Sequence, residues 1–283
     1  MSDDAPTARQ RRLAAELRRL RVDAGLTQAQ AAKLLGWRDR SKLFRLENAR
    51  QTPTVDEVEL ILEHYGPADE AIRLALVQLA RDVRRRGWWV SYGDVIDGSH
   101  AELEDAARTI RIWHPEIVPG LLQMPAYARE LIASEVNDPD EVERRVQARA
   151  TRRTMLERAD APELDVVLAE EALRRLVGGR PVMRQQLGEL LRLAERPNIT
   201  IRVVPLEVGV YPGQGRGGMV LFELPSDLDL SVAYLETMSG SRYVEDIAHV
   251  RECRARFNAV ARVALSPDEA VALIARIRKE MQQ

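Results

Sequence analysis

The chain has 283 residues, is 45% hydrophobic but only 5% aromatic, and carries a net charge of −2; that length suggests two domains, with cores built mostly of Leu, Val, Ala and Ile. Its single cysteine, Cys253, excludes an internal disulfide and a Cys-based zinc site. No apolar run approaches the roughly 18 residues of a membrane span, and the polar, acidic start MSDDAPTARQ is no signal peptide, so a soluble cytoplasmic protein is expected.

The charge is unevenly placed. Residues 1–52 hold a net +6 and the remainder −8. A basic head on an acidic body suggests that only the head meets a polyanion.

From Arg9 to Arg21, Leu13, Ala14, Leu17 and Leu20 fall on one helical face. Gly25 breaks the pattern. Thr27 and Gln30 form a capping box that opens the short helix QAQAAKLL, which Gly36 stops. Asp39 is placed to cap a third helix, from Arg40 to about Glu47. Thr54 caps a fourth over 55–65, and a fifth runs over about 70–85. Two short helices joined by a tight turn inside a five-helix unit suggest a helix-turn-helix. Ala32 sits where the two helices would cross.

In the third helix Leu43 and Leu46 face the core. At about 100° per residue the opposite face holds Ser41, Phe44, Arg45 and Asn48. That face is placed to read base edges. Arg40 and Lys42 flank it as cations for phosphates, and Gln28, at the start of the preceding helix, can turn its amide to a phosphate. The plainer reading of the same pattern is a small helical domain with a solvated basic face.

RDVRRRGWWVSYGDV closes the fifth helix and gives a boundary between a head, residues 1–86, and a body, residues 87–283. Arg84 to Arg86 form either a hinge that touches the DNA backbone or a solvated helix end. In the second case Trp88 and Trp89 dock one domain on the other. Residues 102–112 read as a helix with Leu103, Ala106, Ala107 and Ile110 inside, and 140–158 as a charged helix. The period then changes. ELDVVLA, NITIRVV, GGMVLFEL and SVAYLET read as about four strands, with helices between and after them. Residues 244–264 read as a helix, and Ser266, Pro267 and Glu269 open a last one. The expected fold is an all-α head of five helices and an α/β or α+β body. In the last helix Ala270, Ile274, Ile277 and Met281 form an apolar stripe, which is either a homodimer seam or packing within the body.

The body offers little for catalysis. Gly213, Gly215 and Gly218 fit a dinucleotide fingerprint, but a strand follows them instead of a helix. His64, His100, His114 and His249 are scattered. Glu170 and Glu171 open a helix whose dipole favours them. No enzyme activity, metal or cofactor is expected.

The segment LRRLRVDAGLTQAQAAKLLGW followed by SKLFRLENAR resembles the XRE-type helix-turn-helix of phage repressors over residues 12–65. The turn after Gly36 is one residue longer than that family's, and Phe44 stands where a small polar residue is usual. VPGLLQMPAYAREL, VLAEEALRRLVGG, NITIRVVPLEVG and ALSPDEAVALI resemble the C-terminal domain of actinobacterial WhiJ-like regulators, with Met124 in place of the usual Thr. This resemblance implies a DNA-binding transcriptional regulator that acts on a double-stranded operator, and because one short helix reads few base pairs, a homodimer on two half-sites is expected. It also implies a small protein partner, encoded nearby, for the body. An antitoxin-like protein that neutralises its partner and regulates itself through the head is the alternative.

Overall fold

A computed structural model describes residues 6–67, 69–84, 87–224, 231–237 and 240–282. The head consists of α1 (Ala8–Asp23), α2 (Gln28–Leu34), α3 (Arg40–Glu47), α4 (Val55–Tyr65) and α5 (Glu70–Asp82). Capping decides where three of them begin. Thr7, Thr27 and Thr54 each accept from the backbone three residues on, while Gln10, Gln30 and Glu57 reach back to the cap amide. Leu13, Leu17, Leu43, Ile61 and Leu76 are fully buried in one core, so the head has an apolar centre of its own.

The body follows as α6 (Gly98–Ala106), β1 (Thr109–His114), α7 (Pro125–Ala133), α8 (Pro139–Arg153), β2 (Glu163–Ala169), α9 (Glu170–Arg174), α10 (Gly179–Ala194) and β3 (Ile199–Val204). Then come β4 (Met219–Glu223), β5 (Val232–Thr237), β6 (Gly240–Val244), α11 (Ile247–Val263) and α12 (Pro267–Glu280). The six strands form one sheet in the order β3-β2-β1-β4-β5-β6. The first three are parallel, and β4, β5 and β6 extend the sheet antiparallel. Residues alternate between faces. Ile110, Ile112, Val166, Leu168, Ile201 and Val203 join the core beneath α10 and α12. Trp113, Val167, Ala169 and Val204 face the core beneath α11, where Cys253 is buried. Helices thus cover both faces, and β2 is apolar on both sides, as a central parallel strand must be.

Two strands escaped the sequence reading. The helix expected over 102–112 ends at Ala106, and Ala107 turns extended. Ile110 fits the helical spacing of Leu103, Ala106 and Ala107, yet it lies with Ile112 in a strand paired on both sides, with β2 and β4. Strand pairing supplies two ladders of hydrogen bonds there, and local spacing cannot reveal its partners. The second, β6, is a short edge whose first three residues are exposed, so it has no apolar alternation to read. The helix expected from 244 starts later, at Ile247, capped by Asp246.

The apolar stripe of α12 is not a free seam. Ala270, Ile274 and Ile277 are fully buried in the body's own core. Trp88 and Trp89 open a short 3-10 helix, Trp88–Tyr92, that packs on α6 and α8 of the body. Of the basic run, Arg85 and Arg86 lie outside the described residues, and with them the domain boundary. Head and body meet along α1. Arg9 Nη2 donates to the Glu102 carbonyl at 2.7 Å and Nη1 to the Asp82 carbonyl at 3.2 Å. Arg11 Nε reaches Glu245 Oε1 at 2.9 Å, and Arg12 Nη1 donates to the Glu245 carbonyl at 3.1 Å.

Candidate nucleic-acid interface

The turn between α2 and α3 is made by Gly36, at φ +67°. The Trp37 amide donates to the Ala32 carbonyl at 2.9 Å and the Gly36 amide to the Lys33 carbonyl at 3.1 Å, which is a Schellman stop. Ala32, 2% exposed, lies at the packing of the two helices as its small size suggested. Asp39 then caps α3 by accepting from the Ser41 amide at 2.7 Å, and that bond holds its carboxyl below the usual range.

Glu47 fixes the relation of three helices. Its carboxylate receives Arg21 Nε at 2.6 Å and Nη2 at 3.0 Å, and Gln28 Nε2 at 2.8 Å. Arg21 also donates to the Leu26 carbonyl at 2.6 Å. The pair is buried, and the carboxylate raises the Arg21 pKa.

With Leu43 and Leu46 fully buried, Ser41, Phe44, Arg45 and Asn48 are all exposed. Gln28, Arg40, Ser41, Phe44, Arg45 and Arg50 line one open depression of about 440 Å³. Two called phosphate residues, Gln28 and Arg40, are therefore brought beside three of the base-reading set. Arg45 Nε reaches Gln51 Oε1 at 3.1 Å. Asn48 is the C-cap of α3, and its Nδ2 donates back to the Phe44 carbonyl at 2.8 Å.

Lys42 is paired within the head. Its ammonium is 2.5 Å from Glu57 Oε1 and 4.5 Å from the centre of the Trp37 ring. Glu57 belongs to the capping box of α4, so tertiary packing brings a carboxylate to this lysine that the local sequence does not show. Arg50 was missed. Its guanidinium lies 5.4 Å from the Phe44 ring centre. Ala49, at φ +53°, turns the chain back so that the Arg50 amide donates to the Arg45 carbonyl at 2.8 Å. The helix ends at Glu47, where it was expected to, although no glycine marks this second Schellman stop.

Among the described residues no group of three or more His, Cys, Asp or Glu could hold a metal, and no helix is long and apolar enough to cross a membrane. Glu170 is buried and tied to Arg174 Nε at 2.6 Å and the Leu206 amide at 3.0 Å. The glycine-rich segment leads into β4, not a helix.

Fold and interface together define a helix-turn-helix protein, and residues 12–76 match a helix-turn-helix domain family. That match supports a DNA-binding regulator. Residues 98–276 match a domain of unknown function (DUF5753), and the chain belongs to that family. No curated protein and no solved structure matches it.

Proposed function

We propose that the chain is a sequence-specific transcriptional regulator of the WhiJ-like kind, with a head of residues 1–86 that reads duplex DNA and a body of residues 87–283 that receives a protein partner or signal. The reading rests on one observation. The face of α3 opposite buried Leu43 and Leu46 is exposed and carries a hydroxyl, a guanidinium, an amide and an aromatic ring. Ser41, Phe44, Arg45 and Asn48 read base edges, Arg45 being suited to a guanine. Gln28, Arg40 and Arg50 hold phosphates, and Lys42 joins them only by leaving Glu57. One short helix reads few base pairs, so binding as a homodimer to two half-sites about 10 base pairs apart is part of the proposal.

In vitro selection of bound duplexes with the purified full chain tests it. A shared motif should emerge, and Arg45→Ala should lower affinity for that motif by about 1–3 kcal/mol while relaxing one position. Recovery of random sequence, or an Arg45→Ala protein with unchanged selectivity, would overturn the assignment.

A further inference from the structure

Of the large apolar side chains that the described part of the head exposes, Val22, Leu34, Phe44 and Leu74, Phe44 alone is aromatic and alone lines the depression on α3. It is 41% exposed. The helix gives it no way inward. Leu43 and Leu46, both fully buried, already fill the core side of α3, and Phe44 lies one turn from Arg40 and Asn48 on the opposite side. Arg50 flanks the ring. The left-handed turn at Ala49 returns the chain, the Arg50 amide closes on the Arg45 carbonyl at 2.8 Å, and the guanidinium comes to lie over the ring, 5.4 Å from its centre. Arg50 joins no carboxylate among the described residues, so the ring carries a cation still free for a phosphate.

Arg45, the next residue, lines the same depression. Its Nε donates to Gln51 Oε1 at 3.1 Å, which steadies the guanidinium, while its two terminal nitrogens make no hydrogen bond among the described residues. Such a fork fits the two acceptors of a guanine. A phenyl ring beside it has far fewer targets. The floor of the major groove presents amines, carbonyl oxygens and ring nitrogens, and covering any of these with a ring leaves a polar group unpaired. The apolar group there is the methyl on C5 of thymine. Apolar wedges that part base steps act from the minor groove, whereas an α-helix fits the major one.

We propose that Phe44 reads the 5-methyl group of a pyrimidine in the major groove, thymine in ordinary duplex, while it carries Arg50 to a neighbouring phosphate. This assignment rests on α3 being the DNA-contacting helix, and adds to it one apolar mark on the DNA read by one side chain. The mark is a methyl group and not a base, so 5-methylcytosine presents it as thymine does. The chain therefore distinguishes methylated from unmethylated cytosine at that position.

The test uses the purified full chain and the motif selected with it. Each thymine of the motif is replaced in turn by uracil, which differs only by the missing methyl. At one position the change should weaken binding by about fourfold, or about 0.8 kcal/mol, as for one buried methyl. Cytosine and 5-methylcytosine placed there should differ by about the same factor, in favour of the methylated base. Phe44→Ala should bring both ratios to about one, because no apolar side chain then meets the methyl. Arg50→Met should reduce the slope of log affinity against log salt by about one and keep the thymine-to-uracil ratio. A motif with no thymine sensitive to loss of its methyl, a ratio that survives Phe44→Ala, or one lost in Arg50→Met would overturn the proposal. In each of these cases a motif that still depends on Arg45 leaves the DNA reading intact. If no motif is selected at all, both fall together.

Discussion

Glu47 shows how one side chain governs the presentation of the exposed face of α3. It lies on the buried side of α3, contacts no solvent, and still sets where the exposed side points, because Arg21 of α1 and Gln28 of α2 both end on it. The pair exists because a buried charge is tolerated only with a partner. Glu47→Ala leaves the Arg21 guanidinium without its counter-ion, and should cost on the order of 3–5 kcal/mol. Urea unfolding measures that loss, and a change under about 1 kcal/mol would mean that solvent reaches the pair. The same variant should weaken DNA binding through the position of α3. Sequence periodicity gave the buried and exposed sides of this helix from Leu43 and Leu46 alone. It did not give the partners of Gln28 and Lys42, whose carboxylates sit 19 and 15 residues further along the chain.

At the scale of elements, two Schellman stops bracket α3, one built on Gly36 and the other on Ala49. Both residues stand in the left-handed region, which costs an L-residue roughly 1–2 kcal/mol and glycine almost nothing. A Cβ at Gly36 would meet nothing within 4 Å, so Gly36→Ala tests the backbone term without a clash. It should destabilise the head by about 1 kcal/mol. Ala49→Gly should act in the opposite sense, by up to about 1 kcal/mol, reduced by the extra freedom that glycine has when unfolded. Thermal melts of the two variants decide this. If both move the midpoint the same way, strain at Ala49 is not the reason for its conformation. The stop at Gly36 was legible because glycine advertises it. The end of α3 at about Glu47 was legible too, but the left-handed turn at Ala49 that makes it was not, because alanine normally continues a helix.

Across the whole molecule, half of the head's cations are committed to carboxylates. Arg9 and Arg11 pair with Glu102 and Glu245 of the body, Arg12 and Arg19 with Glu16, Arg21 with Glu47, and Lys42 with Glu57. Arg18, Lys33, Arg38, Arg40, Arg45 and Arg50 are exposed and join no carboxylate among the described residues, and of these Arg38, Arg40 and Arg50 lie at the two ends of α3, beside its exposed face. Counterion release at about 0.9 per phosphate then predicts a slope of roughly −3 in log affinity against log salt for each bound head, less steep than its formal charge suggests. A slope near −6 per head would show that cations away from the ends of α3, such as Arg18, Lys33 and Arg45, also meet phosphates. The junction itself responds to pH. Burial raises the folded pKa of Glu102 above its ordinary 4.5, and Glu245 shifts likewise. The folded state then binds more protons than the unfolded one, so these groups favour folding below the ordinary carboxylate range and lose that contribution as pH rises through the raised values. Urea unfolding across this window should show a shallower decline for Glu102→Gln than for the unchanged chain. An unaltered slope would rule out Glu102 as a source of it.

The sequence by itself determined the local decisions. Capping boxes at Thr27 and Thr54, the break at Gly36, the apolar faces of α1 and α3, and the β-branched runs of β2 and β3 follow from neighbours a few residues apart. That is the range over which helical and strand periodicity acts. Tertiary structure alone decided what depended on distant partners. It put β1 between β2 and β4, although the chain reaches those strands some 50 and 110 residues later. It buried the stripe of α12 in the body, moved Lys42 onto Glu57, and brought His114 to Glu236 across Gly218. Strand pairing and side-chain contact depend on which surfaces meet, and that is fixed only when the two faces of the sheet are covered and the head settles on the body.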